Sequence, residues 1–188
     1  MTTEDTHHAP LEVGIIGAGV AGLAAAIAFR RAGHHVMIYE RSRLSNETGA
    51  AITLTPNANL ILDRWDLDAI KAGVTPNVQA RRLDGATLDV LDQQQWAHVE
   101  ESYGHAVSVF HRADLHTALR ELVEGKGASI VLTKVAVGLD STSGVISFRD
   151  GSQEKKDLVV VADGIKVCTN SASRLIVFIT NASHRLQC

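Results

Sequence analysis

The sequence predicts an α/β fold, and three observations predict it. An uncharged strand-like run, Val13 to Ile16, leads straight into Gly17, Gly19 and Gly22, spaced as G-x-G-x-x-G. An alanine-rich helical stretch follows, then a second strand-like run, Val36 to Tyr39, closed by Glu40 18 residues after Gly22. Far along the chain, Asp157 to Gly164 reads as another buried strand, ending on Asp-Gly. Strand, glycine turn, helix and strand in that order make a parallel βαβ unit, the opening of a Rossmann-like dinucleotide-binding domain.

Each element has a local reason. Residues 1–10 are polar and are expected to be disordered. The apolar run at Val13 suits a central parallel strand covered on both faces. Gly17 permits the tight turn out of that strand, Gly19 lets backbone approach a pyrophosphate, and Gly22 lets the helix pack close to the sheet. The helix is apolar on nearly every face, which predicts burial all round. Arg30 and Arg31 fall in its last turn, where cations suit the dipole, and Gly33 suits the residue just past its end. A carboxylate at Glu40 can accept hydrogen bonds from ribose hydroxyls and would repel a 2′-phosphate. FAD and NAD present the same ribose and phosphates, so the motif does not divide them. Val13 to Phe29 is also an uncharged run that could suggest a signal peptide or membrane span. It has only 17 residues, contains four glycines and follows no basic segment.

After Glu40 the small residues Gly49, Ala50 and Ala51 allow close approach of backbone to something else. Thr55-Pro56-Asn57 reads as a helix start, with Leu60, Ile61 and Trp65 as its apolar stripe. Strand-like segments follow at 78–83, 87–91 and 106–110, a meander attached to the core. His111-Arg112-Ala113-Asp114 opens a helix with Leu115, Leu119 and Leu122 on one side, ending near Gly125-Lys126-Gly127. Arg112 is at the wrong end for the helix dipole, which suits a phosphate or flavin-edge contact if an anion compensates. It reads equally well as a surface arginine with its stem packed down. His111 and His116 are five apart, do not share a helix face and make no metal pair.

Three short strands come next, at 129–132, 135–139 and 145–149, with turns at Ser141–Gly144 and Asp150-Gly151. Asp163-Gly164 then closes the last buried strand at its carboxyl end, where α/β folds bind ligands, although Asp-Gly is also a common plain turn.

Composition narrows the partners. A net charge of −3 over 188 residues gives no electrostatic case for nucleic acid or an anionic membrane. Cys168 and Cys188 show no metal or redox spacing, which points to a reducing compartment, the cytoplasm.

Taken together, GAGVAG with IYER at 38–41, ETGAAITLTPNA at 47–58, FHRADLHTAL at 110–119 and DLVVVADGIK at 157–166 resemble the N-terminal part of the FAD-dependent aromatic monooxygenases of the salicylate-hydroxylase type. The resemblance covers residues 11–166 and implies a Rossmann-like FAD/NAD(P)-binding domain with a β-meander, in which 76–110 is an incomplete substrate-domain segment. It implies that Gly17, Gly19 and Gly22 hold the FAD pyrophosphate and Glu40 the adenosine ribose. Gly49 and Ala50 would lie near the cofactor, Arg112 would contact its ribityl–pyrophosphate region, and Val135 would touch adenine. Asp163 and Gly164 match a motif linked to both FAD and NAD(P)H. The implied reaction is hydroxylation of a small aromatic substrate, with NAD(P)H and dioxygen as co-substrates. No catalytic side chain or metal is expected, because the flavin carries that chemistry.

The pattern breaks after Lys166. The family should continue through Ser and Arg into a substrate domain and return with a Gly-Asp motif. Residues 167–188 contain no acid and no glycine, and seven of 22 are Ser, Thr or Asn. Lys166-Val167-Cys168 can be encoded with a 5′ splice signal after the lysine codon. The tail is therefore expected to be unrelated to the domain, as intron read-through would make it, and to pack poorly or lie apart from the core. Its apolar, β-prone run Leu175–Ile179 either caps a sheet edge or promotes aggregation. Two functions stay in view: the FAD-binding portion of a monooxygenase, or a non-catalytic fragment with weak nucleotide binding. An NAD-dependent dehydrogenase is disfavoured because a meander replaces its second nucleotide half.

Overall fold

The computed structural model describes residues 9–44, 49–164 and, for the backbone alone, 176–179. Of residues 1–10, expected to be disordered, 1–8 lie outside the described residues, as does most of the tail. The chain divides into two compact units, one formed by residues 1–46 and 120–188, the other by 47–119.

The first unit opens with β1 (Glu12–Ile16), α1 (Val20–Arg31) and β2 (His35–Tyr39). β1 and β2 pair in parallel, Val13 opposite Val36 and Ile16 opposite Tyr39, which confirms the βαβ reading. α1 ends as Gly33 suggests: the Gly33 N–H donates to the Arg30 carbonyl at 3.1 Å and His34 N–H to Phe29 at 3.0 Å, with Gly33 at φ +87°. Burial of α1 is one-sided, on Gly22, Leu23, Ala26 and Ile27, while Ala21 and Ala28 are exposed. The expectation of burial all round is corrected here. An alanine has so little apolar surface that exposing it costs little.

The second unit carries β3 (Ala51–Leu54), α2 (Pro56–Arg64), β4 (Thr75–Pro76), β5 (Gln79–Leu83), β6 (Val90–Gln95), α3 (Val99–Tyr103) and β7 (Ser108–His111). α4 (Arg112–Gly125) follows, and the division between the units falls within it, after Leu119. β3 and β4 flank β7, both antiparallel, while β5 and β6 form a separate hairpin. Pro56 takes the first helical position of α2, as its fixed φ favours. No residue of α2 is buried, so its expected apolar stripe covers nothing fully. The strand expected at 87–91 begins only at Val90. Asp84 instead folds the preceding residues into a turn, its carboxylate accepting the Ala86 and Thr87 N–H groups at 2.8 and 2.9 Å. On α4, Leu115, His116, Leu119 and Val123 are buried.

Returning to the first unit, β8 (Ser129–Val131) adds in parallel to β2. β9 (Ala136–Asp140), β10 (Val145–Phe148) and β11 (Gln153–Lys155) form the antiparallel meander. β12 (Leu158–Val161) pairs in parallel with β1 on its other side. The alternation of strand residues sorts the two faces. Ile16, Tyr39, Val159 and Val161 pack with Ala136, Ile146 and Phe148 of the meander. On the other face, Ile15 meets α1 at Gly22. Gly14 belongs to the meander face, where a Cβ would lie 2.8 Å from Lys156 Cγ and 3.1 Å from Ile146 Cδ1. A glycine inside a strand allows such close approach.

Of the two outcomes expected for the run at 175–179, capping of a sheet edge is the one seen, and over residues 176–179 the tail does not lie apart. β13 (Ile176–Ile179) pairs antiparallel with β12, Ile176 opposite Val161 and Ile179 opposite Leu158, to complete the order β13-β12-β1-β2-β8. Beyond β12 the sheet offers a row of unpaired amides and carbonyls, and a β-branched and aromatic run satisfies them.

Candidate functional site

In the first unit the expected residues gather at the carboxyl ends of three adjacent parallel strands. Gly17 leaves β1 at φ +103° and donates its N–H to the Tyr39 carbonyl at 2.8 Å. A Cβ there would lie 2.4 Å from the Ala162 carbonyl oxygen and 3.1 Å from Asp163 Cα, so the turn is pressed against the end of β12. Gly22 is tighter still, its absent Cβ falling on the Gly17 carbonyl oxygen. Gly19 differs: nothing lies within 4 Å of where its Cβ would be. It is also the N-cap of α1, with no side-chain cap and no acid in the first turn. The first N–H groups of a helix have no partner within it, and with open space before them they form a receptor for an anion.

Glu40 closes the site at the end of β2. Its carboxylate is buried and spans two backbone amides, accepting the Ala18 N–H at Oε2 and the Ser42 N–H at Oε1, both at 2.7 Å. Burial works to raise its pKa, but the amides of Ala18 and Ser42 and the charge of Arg41 oppose it, and the net direction is down. Glu40 therefore stays ionised. Each carboxylate oxygen keeps acceptor capacity beyond the amide it holds.

Val135 is tied to the same corner through the backbone. Glu40 N–H donates to the Val131 carbonyl at 2.9 Å, Lys134 N–H to the Glu40 carbonyl at 2.8 Å, and Thr133 N–H to the Ser42 carbonyl at 3.2 Å. Half-buried Val135 follows directly and accepts the Arg149 N–H at 2.9 Å. Asp163 is half-buried, and Gly164 turns away at φ +81°.

The remaining three expected residues belong to the second unit and form a group by themselves. Arg112 begins α4, half-buried, and its N–H donates to the Ala50 carbonyl at 3.0 Å. Gly49 lies against the same helix start: a Cβ would be 2.7 Å from His111 Cε1 and 3.1 Å from the Ala113 nitrogen. Gly49 thus allows a close approach, and the surface approached within the unit is α4. The clamp of Ala18 and Ser42 on Glu40 was missed in the sequence, because backbone amides leave no mark in residue identity.

Comparison with known proteins places this geometry. A family model described as Glucose inhibited division protein A matches residues 12–177, a span that runs past Lys166. An FAD-dependent monooxygenase of Aspergillus candidus, cfoG, is 36% identical over 162 residues, covering 83% of this chain and 37% of the relative. Hispidin-3-hydroxylase of Neonothopanus nambi is 33% identical over 163 residues, covering 83% of this chain and 38% of the relative. Among solved structures, 2-methyl-3-hydroxypyridine-5-carboxylic acid oxygenase superposes with a TM-score of 0.74 at 25% identity, over 87% of this chain and 42% of that one. These relatives bear out the resemblance read from the four motifs. The chain spans about two-fifths of the length of the proteins it matches.

Proposed function

The chain belongs to the family of Glucose inhibited division protein A, and on that premise we propose that it is the FAD-binding portion of a flavin-dependent monooxygenase acting on a small aromatic substrate. The observation that carries this reading is the uncapped start of α1, opening on free space at Gly19 beside the ionised carboxylate of Glu40. That pairing of an anion receptor with a hydroxyl acceptor suits the phosphates and ribose of the AMP half of FAD.

The residues present fit the cofactor. The α1 amides would hold the pyrophosphate, Glu40 the ribose, and backbone near Val135 the adenine. Asp163 and Gly164, at the end of β12 and against Gly17, would border the pyrophosphate. For the second unit, taken by itself, the reading gives Arg112 a contact to the ribityl–pyrophosphate region and the backbone of Gly49 and Ala50 a place near the cofactor. Bound FAD would supply the redox chemistry, with NAD(P)H as reductant and dioxygen as oxidant. This chain's own residues bind and orient the cofactor, and no side chain of theirs is assigned a proton or a bond to make. Among the described residues no helix is long and apolar enough to cross a membrane.

A second reading, a nucleotide-binding fragment without turnover, is favoured by the share of the relatives that the chain spans. One experiment separates the two. Purified 1–188 is titrated with FAD, followed by flavin fluorescence, and assayed with NAD(P)H and a panel of phenols. Saturable binding displaced by ADP, with no product beyond a free-flavin blank, is expected for the isolated polypeptide. Binding that ADP does not displace would overturn the docking reading, and product formation coupled to oxygen uptake would overturn the fragment reading.

A further inference from the structure

Glu40 makes more contacts than a ribose acceptor needs. Its Oε2 takes the N–H of Ala18, a residue 22 positions earlier with no exposed surface, and its Oε1 takes that of Ser42. Ala18 lies between Gly17, pressed on the Ala162 carbonyl, and Gly19, the N-cap of α1. Holding the Ala18 amide therefore sets the peptide planes on both sides of it, and with them the aim of the α1 amides. The clamp itself is anchored, since the Glu40 backbone is hydrogen-bonded through both its N–H and its C=O to residues 131 and 134.

We propose that Glu40 is a positioning residue for the glycine loop as well as an acceptor for ribose: braced by Ser42, its carboxylate fixes Ala18 and thereby the conformation in which the loop receives a pyrophosphate. The proposal rests on the nucleotide reading above and deepens it. It also fixes the sign of an effect. A carboxylate beside an anion site repels the anion, so a purely electrostatic view has phosphate binding tighten when the charge is removed. A positioning role has it weaken.

The test uses purified 1–188, wild type and Glu40→Gln, with ADP and 2′,3′-dideoxy-ADP as calorimetric ligands. The dideoxy ligand offers Glu40 no hydroxyl. Gln keeps the shape but presents an N–H₂ where one of the two backbone amides needs an acceptor. The expected result is that E40Q weakens both ligands, the dideoxy ligand by about tenfold. Dideoxy-ADP binding that is unchanged or tighter in E40Q would overturn the positioning role and leave ribose contact alone. Should E40Q fail to fold, amide hydrogen exchange in ligand-free wild type decides. A protected Ala18 N–H supports the clamp, and exchange as fast as an exposed loop amide refutes it. Wild type that binds neither ADP nor FAD would remove the nucleotide reading instead, a failure distinct from either of these.

Discussion

Gly22→Ala sets two local effects of opposite sign against each other. Alanine in a helix interior is favoured over glycine by up to about 1 kcal/mol, so propensity alone has the variant more stable. The structure says otherwise. The new methyl would sit 1.9 Å from the Gly17 carbonyl oxygen and 3.1 Å from its carbon, contacts that only backbone movement can relieve. Gly17 has nowhere to go, because its N–H is bonded to Tyr39 and its other side is against Ala162. Overpacking of this kind costs roughly 1–3 kcal/mol, and a clash that only backbone can relieve falls in the upper part of that range. Less the propensity gain, the net change is a destabilisation of about 1–2 kcal/mol, with nucleotide affinity falling as the loop deforms. Urea unfolding followed by circular dichroism measures the first and ADP titration the second. The control is Gly19→Ala, at φ −71° with open space around it. Its stability should change by less than about 1 kcal/mol, while ADP affinity drops because the methyl enters the space left for phosphate. G22A as stable as wild type, or G19A binding ADP normally, would refute the account of how these glycines differ.

Other outcomes follow from single contacts. Arg30 donates through Nε to the Lys126 carbonyl and through Nη1 to that of His34, both at 2.8 Å; Arg30→Met should cost about 1–3 kcal/mol in urea unfolding, and Arg30→Lys should recover less than half of the loss because its ammonium cannot reproduce the fork. The pKa of Glu40 is lowered in the folded chain, so the stability it lends is present above its ordinary value of 4.5 and is lost as pH falls through the lower folded value. The urea stability of wild type relative to Glu40→Gln should accordingly hold on acidification to that ordinary value and decline only below it, and a decline well above it would show that the carboxylate is not held as described. If Arg112 serves the ribityl–pyrophosphate region, Arg112→Met should weaken FAD about tenfold while leaving AMP binding unchanged, and equal FAD affinity in the variant would remove that role.

The sequence by itself determined the nucleotide-binding core. Gly17, Gly19, Gly22 and Glu40 were legible because their jobs are local: a left-handed turn, an open N-cap, a close helix crossing and an acid ending the next strand are written in residue type and spacing. The Schellman end of α1 was legible at Gly33 for the same reason. Tertiary structure decided what depends on partners distant in sequence. Which face of α1 is buried was set by the strands beneath it, since its alanines carry no preference strong enough to choose. The occupation of Glu40 by the amides of Ala18 and Ser42 could not be read, because every residue has an amide and only folding aims one. Arg30 was legible as a cation near a helix end, but its actual partners were two carbonyls that only the docking of residues 34 and 126 supplies. The run at 176–179 shows the same division, its composition announcing a strand and the free edge of β12 alone determining where it pairs.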